Sequence, residues 1–305
     1  MEVTLSGLRV LRAVAEQGSF TAAAQSLGYT QSAVSRQIAA LEAGVGAQLV
    51  TRDRGGARLT SPGSVLLRHA TVALTAVADA AAELSGASPA VGRVRIGVTP
   101  LAAALLLPGA VGALRRRHPQ VDLTSRDSTT PALLRALRAG TLDAAVLTSR
   151  PPHRHPDSES PRLRVEPLLE TKLVLAVPSH GVFAGRDTVA LDELRDVSWI
   201  ASSGTSEEPL LGSWPGLPGR PRIAHSTRDW LVKLQLVAAG AGVTTVPASI
   251  APLLPGGAQL VRVTGAPEEV RRISIARLPA ASPAALQDVL TVLRDQAARL
   301  SDRAG

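Results

Sequence analysis

Four side chains that can contact DNA bases lie close together in the N-terminal part of the chain. They are Gln31, Ser32, Ser35 and Arg36. An arginine can donate hydrogen bonds to guanine or to a phosphate, a glutamine can pair with adenine, and a serine is short enough for close approach. These residue types in this arrangement indicate a surface that reads the edges of base pairs.

A short arginine-rich segment follows these residues. Residues 49–60 contain Arg52, Arg54 and Arg58 around a Gly55-Gly56 pair. Two short runs separated by such a pair predict a β-hairpin with a tight turn. Arginines on a hairpin beside a DNA-binding helix can lie along phosphates or enter the minor groove. The hairpin is therefore interpreted as a wing.

Three short helices have to position these side chains. Their limits, predicted from capping hydroxyls and terminal glycines, are Thr4 to Gly18, Ser19 or Thr21 to Gly28, and Thr30 to about Ala43. The third helix carries an apolar stripe of Val34, Ile38 and Leu41, which is expected to be buried. The groove-reading residues lie on the opposite face of the helix. The second and third helices then form a helix-turn-helix. The helix pattern alone fits an ordinary helical subdomain with a solvated polar face equally well.

Four motifs carry a family resemblance across the first sixty residues. They are residues 18–24 (GSFTAAA), 30–38 (TQSAVSRQI), 41–42 (LE), and 58–60 (RLT) followed by Gly63. Together they resemble the winged helix of LysR-type transcriptional regulators. The resemblance implies that residues 1–60 form a DNA-binding domain whose groove-facing residues are Gln31, Ser32, Ser35 and Arg36. It also implies that Ser19 and Thr21 anchor phosphates at a helix N-terminus and that Arg52, Arg54 and Arg58 form the wing.

Six apolar residues after residue 60 repeat at alternating spacings of four and three. They are Leu66, Ala70, Ala73, Val77, Ala80 and Leu84. This heptad spacing predicts a helix that pairs with a second copy of itself; the alternative is a helix that packs on its own chain. In the resembling family this position, residues 61–88 here, is a dimerisation helix with a hinge, which implies a homodimer or homotetramer.

Strand and helix patterns alternate through the remaining two thirds of the chain. The predicted strands lie near residues 94–98, 121–125, 144–147, 173–177, 197–201, 243–246 and 273–278, with helices near 132–139 and 283–300. Such alternation predicts a parallel sheet covered by helices.

Three further motifs extend the resemblance to this region: residues 118–121 (HPQV), 140–143 (GTLD), and 240–243 (GAGV) with Pro247. They resemble the effector-binding region of the same family, which implies two α/β lobes like those of a type 2 periplasmic binding protein. Lobe I would comprise residues 89–164 plus 266–305, and lobe II residues 165–265. The fold class expected for the whole chain is thus α+β and multidomain.

Hydroxyl side chains follow several predicted strands, where small ligands meet helix N-termini in α/β sheets. The candidate effector-binding residues, which align with pocket positions of the resembling family, are Thr99, Pro100, Thr129, Thr130, Ser202, Ser203, Thr205, Thr227 and Arg228. Hydroxyls and helix N-termini suit a carboxylate or another anion, and Arg228 could add a charge-assisted hydrogen bond. The alternative is that these hydroxyls only cap helices.

Composition excludes several other classes of protein. The 305 residues include no cysteine, which excludes disulfides and cysteine-ligated metal sites. No phosphate loop, nucleophile elbow or paired-carboxylate motif is found, and the six histidines are scattered, so no enzyme, cofactor or metal site is expected. The net charge of +8 permits a nucleic-acid partner. Glycines and prolines interrupt both long uncharged stretches, and no signal peptide is evident, so a cytoplasmic protein without a membrane span is expected.

Together these features predict a transcriptional regulator that binds double-stranded DNA as an oligomer under the control of a small-molecule effector. A ligand-dependent change in half-site spacing or DNA bending would act on RNA polymerase as a further partner. Two alternatives stay open. One is a variant of the same fold with a vestigial pocket, and the other is an oligomeric small-molecule-binding protein of the same two-lobed fold without sequence-specific DNA binding.

Overall fold

The computed structural model describes residues 3–53, 56–84, 92–149, 161–202, 212–217, 219–279 and 282–304. The described residues divide into two compact units. The first unit takes its residues from Met1–Thr148, His155–Glu166 and Ser274–Arg294. The second takes its residues from Ser149–Arg154, Pro167–Ile273 and Asp295–Gly305.

The first unit begins with three helices and a hairpin. They are α1 (Leu5–Gln17), α2 (Phe20–Leu27), α3 (Gln31–Val45), β1 (Val50–Asp53) and β2 (Gly56–Leu59). Each helix starts at a hydroxyl that accepts a hydrogen bond from a backbone N–H three residues later; the hydroxyls are those of Thr4, Ser19 and Thr30. The choice between Ser19 and Thr21 is thus settled in favour of Ser19. The third helix continues past the predicted end at Ala43 and stops at Gly46, whose φ of 71° favours glycine.

The apolar stripe of α3 packs on α1, as its spacing predicts. Val34, Ile38 and Leu41 are buried together with Leu11 and Val14 of α1. Each such side chain stabilises the fold by about 1.5–3 kcal/mol through removal from water. The buried stripe fixes the rotation of α3 about its own axis, and this rotation decides which residues of α3 face outwards.

Helix α4 (Ser61–Leu84) follows the hairpin directly. Thr60 caps it, since Thr60 Oγ1 accepts a hydrogen bond of 3.0 Å from Gly63 N. A Cβ atom at residue 63 would lie 2.0 Å from the carbonyl oxygen of Leu49, so only glycine lets the first turn approach the hairpin this closely.

The predicted heptad seam of α4 is buried in part against its own chain. Ala70 is buried in the core of the winged helix, together with Leu67 and Leu74, because α4 packs on α1 of its own chain. The other predicted seam residues past that point are exposed, namely Ala73, Val77, Ala80 and Leu84. The expectation of a continuous seam is therefore wrong at Ala70, whose position in the repeat coincides with the stripe that covers α1.

Three parallel strands form a sheet in the first unit. They are β3 (Arg93–Val98), β4 (Asp122–Asp127) and β5 (Ala144–Ser149), with β3 paired to both others. Helix α5 (Pro100–Arg117) connects β3 to β4, and α6 (Thr130–Arg138) connects β4 to β5. The predicted parallel arrangement is confirmed for these strands.

The second unit contains strands of both directions. Its elements are β6 (Arg164–Pro178), β7 (Thr188–Ala190), β8 (Ser198–Ala201), β9 (Arg222–Ser226), α7 (Trp230–Ala238), β10 (Thr244–Pro247) and β11 (Ala258–Thr264), with 3-10 helices at Leu191–Leu194 and Ala248–Leu253. β8 pairs with β9, and β7 with β11, in parallel. β10 and β11 pair antiparallel to β6. The expectation of a wholly parallel sheet is wrong here. The order of strands and helices along the sequence does not determine whether two paired strands run parallel or antiparallel to each other.

The chain ends with β12 (Val270–Arg277) and α8 (Ala284–Ala304), each of which contributes residues to both units. One face of α8 is apolar, and Val289, Leu290 and Leu293 are buried there. Among the described residues, no helix has both the length and the apolar character needed to cross a membrane.

Candidate nucleic-acid interface and effector-facing residues

The outward face of α3 consists of polar residues. Gln31, Ser32 and Arg36 are exposed, and Ser35 is half-buried at the edge of the same face. Ser32 Oγ lies 3.1 Å from the capping hydroxyl of Thr30. All four residues stand in the first two turns of the helix, which is the part that reaches base edges when such a helix enters the major groove.

Ser19 caps the N-terminus of α2. Ser19 Oγ accepts a hydrogen bond of 3.4 Å from Ala22 N, and Thr21 is exposed in the first turn. The remaining N–H groups of that turn carry the positive end of the helix dipole. This arrangement can receive a phosphate, with the Thr21 hydroxyl and the O–H of Ser19, whose oxygen only accepts in the cap, as side-chain donors.

The wing is joined to the helices by Arg52. Its Nη2 donates a hydrogen bond of 2.9 Å to Ser35 Oγ, and its guanidinium carbon lies 3.8 Å from the centroid of the Phe20 ring. Phe20 was not selected from the sequence as a functional residue, although it lies inside the 18–24 motif. Arg58 is exposed on β2, where its carbonyl oxygen accepts a hydrogen bond from Thr51 Oγ1. Arg54 lies outside the described residues.

A carboxylate on α3 holds the start of the wing. Glu42 Oε1 accepts hydrogen bonds from Leu49 N at 2.7 Å and from Val50 N at 3.1 Å. Hydrogen bonds from backbone N–H groups to a charged carboxylate are among the stronger ones in proteins. The Glu42 side chain therefore fixes the hairpin to α3, a role that its place in the 41–42 motif did not reveal.

The candidate effector residues of the first unit lie at the carboxyl ends of parallel strands. Thr99 follows β3, and its N–H donates to the Val146 carbonyl at 3.0 Å. Ser128 follows β4, and its N–H donates to the Val98 carbonyl at 3.1 Å. Pro100 and Thr130 are the first residues of α5 and α6, so both helix N-termini start at this edge of the sheet.

Neither threonine that precedes these helices caps them with its side chain. Thr99 and Thr129 stand at the N-caps of α5 and α6, and neither forms a side-chain cap hydrogen bond. The buried Thr99 hydroxyl lies 2.8 Å from the Thr148 hydroxyl instead. The alternative that these two hydroxyls serve only as caps is therefore wrong. Thr148 was missed in the sequence, although it follows the core of a predicted strand as Thr99 does.

The candidate residues of the second unit follow β8 and β9. Ser202 is buried after β8, and Thr227 N donates to the Ala201 carbonyl at 3.1 Å. Thr227 Oγ1 accepts a hydrogen bond from Asp229 N, so here the hydroxyl does serve the local backbone. Arg228 is exposed beside it. Ser203 and Thr205 lie outside the described residues.

Helix α7 starts at an aspartate. Asp229 Oδ1 accepts hydrogen bonds from Leu231 N at 2.8 Å and from Val232 N at 3.1 Å. This carboxylate was not selected from the sequence, although aspartate is a preferred N-cap residue. It occupies the N–H groups that an anionic ligand would otherwise use, so in this unit Arg228 is the candidate group for charge recognition.

A lysine is buried one turn into α7. Lys233 is 1% exposed, and its Nζ lies 4.9 Å from the centroid of the Trp230 ring. Burial lowers the pKa of Lys233 to about 8, because the charged ammonium loses its hydration. In the part of the chain that the structure describes, no group of three or more histidine, aspartate or glutamate side chains is arranged to hold a metal ion.

Two family descriptions match the chain and together cover most of it. Residues 5–64 match the bacterial regulatory helix-turn-helix protein of the lysR family, and residues 87–298 match the LysR substrate binding domain. The first match covers the winged helix and the second covers the α/β region.

Individual relatives agree with these matches. A probable hydrogen peroxide-inducible genes activator of Mycobacterium avium is 32% identical over 278 residues, which are 89% of this chain and 87% of the relative. The H2O2-bound C206S mutant of Corynebacterium glutamicum OxyR is 26% identical with a TM-score of 0.56, covering 100% of this chain and 97% of that one. Full-length CbnR complexed with its target DNA is also 26% identical, with a TM-score of 0.53, covering 96% of this chain and 100% of that one.

The matched regions contain α3, the hairpin and the strand-end hydroxyls described above, and the relatives that are named by function regulate genes. The chain therefore belongs to the LysR family of DNA-binding transcriptional regulators that respond to small-molecule effectors.

Proposed function

We propose that this regulator reads its operator with α3, clamps the flanking phosphates with α2 and the wing, and acts in the cytoplasm without catalysing a reaction. The observation that carries the proposal is the exposed polar face of α3, whose rotation is fixed by the buried stripe on its other side. A rigid helix with short polar groups at its N-terminal end can approach base edges at low entropic cost.

Within this surface we assign distinct roles to the two arginines. Arg36 is exposed on α3 and reads a guanine, a contact worth about 1–3 kcal/mol against the wrong base. Arg52 lies against Ser35 and Phe20, so it positions the wing against α3 while its outer edge faces the phosphates. Gln31, Ser32 and Thr21 supply the remaining contacts, and Arg54 and Arg58 extend the wing along the DNA.

We further propose that oligomers form through the exposed part of α4. Val77 and Leu84 are 40% and 91% exposed, and both lie on the predicted seam. Apolar side chains exposed in a row on a helix are typical of a surface that is covered by a partner. A second copy of the chain would cover them and bring two copies of α3 to two half-sites of one operator.

The candidate effector contacts are hydroxyls and helix N-termini at the strand ends of the first unit, and Ser202 and Arg228 in the second unit. In the first unit the support comes from Thr99 and Thr129, whose hydroxyls do not cap their own helices. In the second unit it comes from Ser202 and from Arg228, which adds a positive charge. These donors suit an anion such as a carboxylate.

Effector sensing by this chain does not use oxidation of a cysteine thiol. Several relatives are named for induction by hydrogen peroxide, and one solved relative is H2O2-bound. The 305 residues of this chain contain no cysteine and a single methionine, Met1. No thiol can therefore be oxidised here to a sulfenic acid or a disulfide. We propose that a bound small molecule shifts the geometry of the oligomer, which changes half-site spacing or DNA bending and so RNA polymerase recruitment.

A selection of random double-stranded DNA by the purified protein tests this proposal. The expected result is an enriched sequence with two inverted half-sites, as a symmetric oligomer requires. Enrichment of no sequence, with binding that is abolished by moderate salt, would contradict it.

A further inference from the structure

An open cavity of about 660 Å³ lies at the surface of the first unit. Its walls come from β2, the first turns of α4, strand β3, helix α6 and the start of α8. None of the candidate effector residues lines it, and α3 does not reach it. The cavity is thus separate from the candidate effector residues and shares only Arg58 with the proposed DNA-facing residues, and its volume is in the range of small-molecule pockets.

The lining of this cavity is strongly basic. Seven of the described lining residues are arginines, contributed by five different elements: Arg58, Arg68, Arg93, Arg95, Arg135, Arg138 and Arg277. Asp143 is the one carboxylate among the described lining residues. It is bound to Arg95 by hydrogen bonds of 2.9 Å and 3.2 Å, so its charge is already matched.

Some of these arginines are held by the protein, and this fixes the shape of the site. Arg135 Nε donates to the Glu16 carbonyl at 3.1 Å, and Arg93 lies 3.6 Å from an Asp122 carboxylate oxygen. Arg68 of α4 is exposed and has no hydrogen bond or ion pair among the described residues, so its guanidinium is available to a ligand. Arg93, Arg95 and Arg277 form ion pairs with Asp122, Asp143 and Glu166, and Arg68 adds a positive charge that an anion in the cavity would balance.

Apolar side chains complete the walls. Leu59, Val65, Val94, Leu142 and Leu286 line the cavity between the guanidinium groups. Guanidinium groups bind phosphate oxygens through pairs of parallel N–H donors, which an ammonium group cannot provide. We propose that this cavity binds a phosphate-bearing small molecule of nucleotide size, with its phosphates on the arginines and its body against the apolar wall.

Such a ligand would contact both the DNA-binding part and the effector-binding part of the first unit. These parts already meet beside the cavity, where Thr71 Oγ1 of α4 donates to the Ala139 carbonyl at 3.0 Å. Glu16 of α1 also forms an ion pair with Arg126 of β4. The cavity has one wall from each part, so the bound anion would strengthen their attachment, and the winged helix would become harder to unfold separately.

The experiment is calorimetric titration of the full chain, without DNA, with inorganic pyrophosphate, with ATP and, as an anion without phosphate, with citrate at constant ionic strength. We expect saturable binding of pyrophosphate and of ATP, with ATP the tighter because it also uses the apolar wall, and weaker binding of citrate. Arg68→Gln should weaken binding by about tenfold. Ser64→Glu, which puts a carboxylate on the α4 wall, should weaken it at least as much. Arg116→Gln, an exposed arginine of α5 outside the lining, is the matched control and should bind like the wild type.

Three results would overturn the proposal. One is the absence of saturable binding of either probe. Another is binding that survives both Arg68→Gln and Ser64→Glu but is lost in Arg36→Ala, which would place the anion on the DNA-facing surface. The third is citrate binding as tight as that of ATP, which would remove the assignment to phosphate. Because no DNA is present, failure of this test is distinct from failure of the proposed operator reading.

Discussion

Arg52 of the wing donates a hydrogen bond of 2.9 Å to Ser35 of the DNA-facing helix, and the same guanidinium stacks 3.8 Å from the centroid of the Phe20 ring. One side chain thus joins β1, α2 and α3. Glu42 holds the other end of the hairpin through two backbone N–H groups. The wing and the helix are therefore presented to DNA as one surface, and the geometry exists before DNA binds, which lowers the entropy cost of association.

Removal of this contact should show coupling between its two partners. Arg52→Ala, Ser35→Ala and the double variant form a cycle, and we expect a coupling of about 0.5–1 kcal/mol in the free energy of unfolding, because the hydrogen bond is charge-assisted but exposed. Urea denaturation monitored by circular dichroism measures it. Effects of the two single changes that add without coupling would mean that the contact contributes nothing to the fold.

The exposed part of α4 should carry the oligomer. Val77→Glu places one negative charge on the predicted seam of each subunit, so a dimer would bury two. We expect the dissociation constant of the dimer to rise by about tenfold or more. Thr75→Glu, on a different face of the same helix, is the matched control and should leave association unchanged. Sedimentation equilibrium measures both. A Val77→Glu protein that associates like the wild type would exclude this surface as the interface.

Lys233 should make stability depend on pH in the alkaline range. Burial lowers its pKa in the folded protein to about 8, against about 10.5 in the unfolded chain. Between these values the folded state binds fewer protons than the unfolded state, so the free energy of unfolding rises with pH. Below about pH 8 the lysine is protonated in both states, and the buried charge lowers the free energy of unfolding by its full desolvation penalty.

The comparison that isolates this effect is Lys233→Met, which keeps the length of the side chain without the charge. The stability advantage of the variant should shrink by up to about 3 kcal/mol from pH 7 to pH 10. Urea unfolding at a series of pH values measures it. A constant difference between the two proteins across that range would show that the buried lysine does not titrate there.

Hydrogen peroxide should not change the affinity of this regulator for its operator. The chain has no cysteine, so the oxidation that forms a disulfide cannot occur. Fluorescence anisotropy with labelled operator, before and after peroxide treatment, measures the affinity. Dithiothreitol is the control and should also have no effect. A peroxide response that the reductant reverses would contradict this account of effector sensing.

The sequence predicts local structure well where one face of an element is buried. The caps at Thr4 and Thr30 and the inward stripe of α3 followed from hydroxyl placement and apolar spacing. The strand-end position of Thr99 followed from the alternation of strands and helices. In each case the local pattern of hydroxyl, apolar and polar residues indicates the position, although the α3 stripe and Thr99 are also held by contacts with distant segments.

Contacts between distant segments were not predictable in the same way. The burial of Ala70 depends on how α4 packs on α1, and Ala70 fits the heptad repeat whether its partner is its own chain or another. The Arg52 position against Phe20 and Ser35 depends on the angle of the hairpin, which periodicity does not specify. The direction of β6 relative to β10 and β11 likewise follows from long-range pairing.

The most direct test of the central claim is footprinting of the purified protein on its own upstream DNA at two salt concentrations. The wild type and Arg9→Ala, which removes an exposed arginine of α1 instead of α3, should protect the same dyad-symmetric sequence at moderate salt. Arg36→Ala should fold normally and lose that protection, with an affinity lower by about tenfold or more. A folded Arg36→Ala protein that protects the same sequence with wild-type affinity would contradict the assignment of α3 as the element that reads DNA.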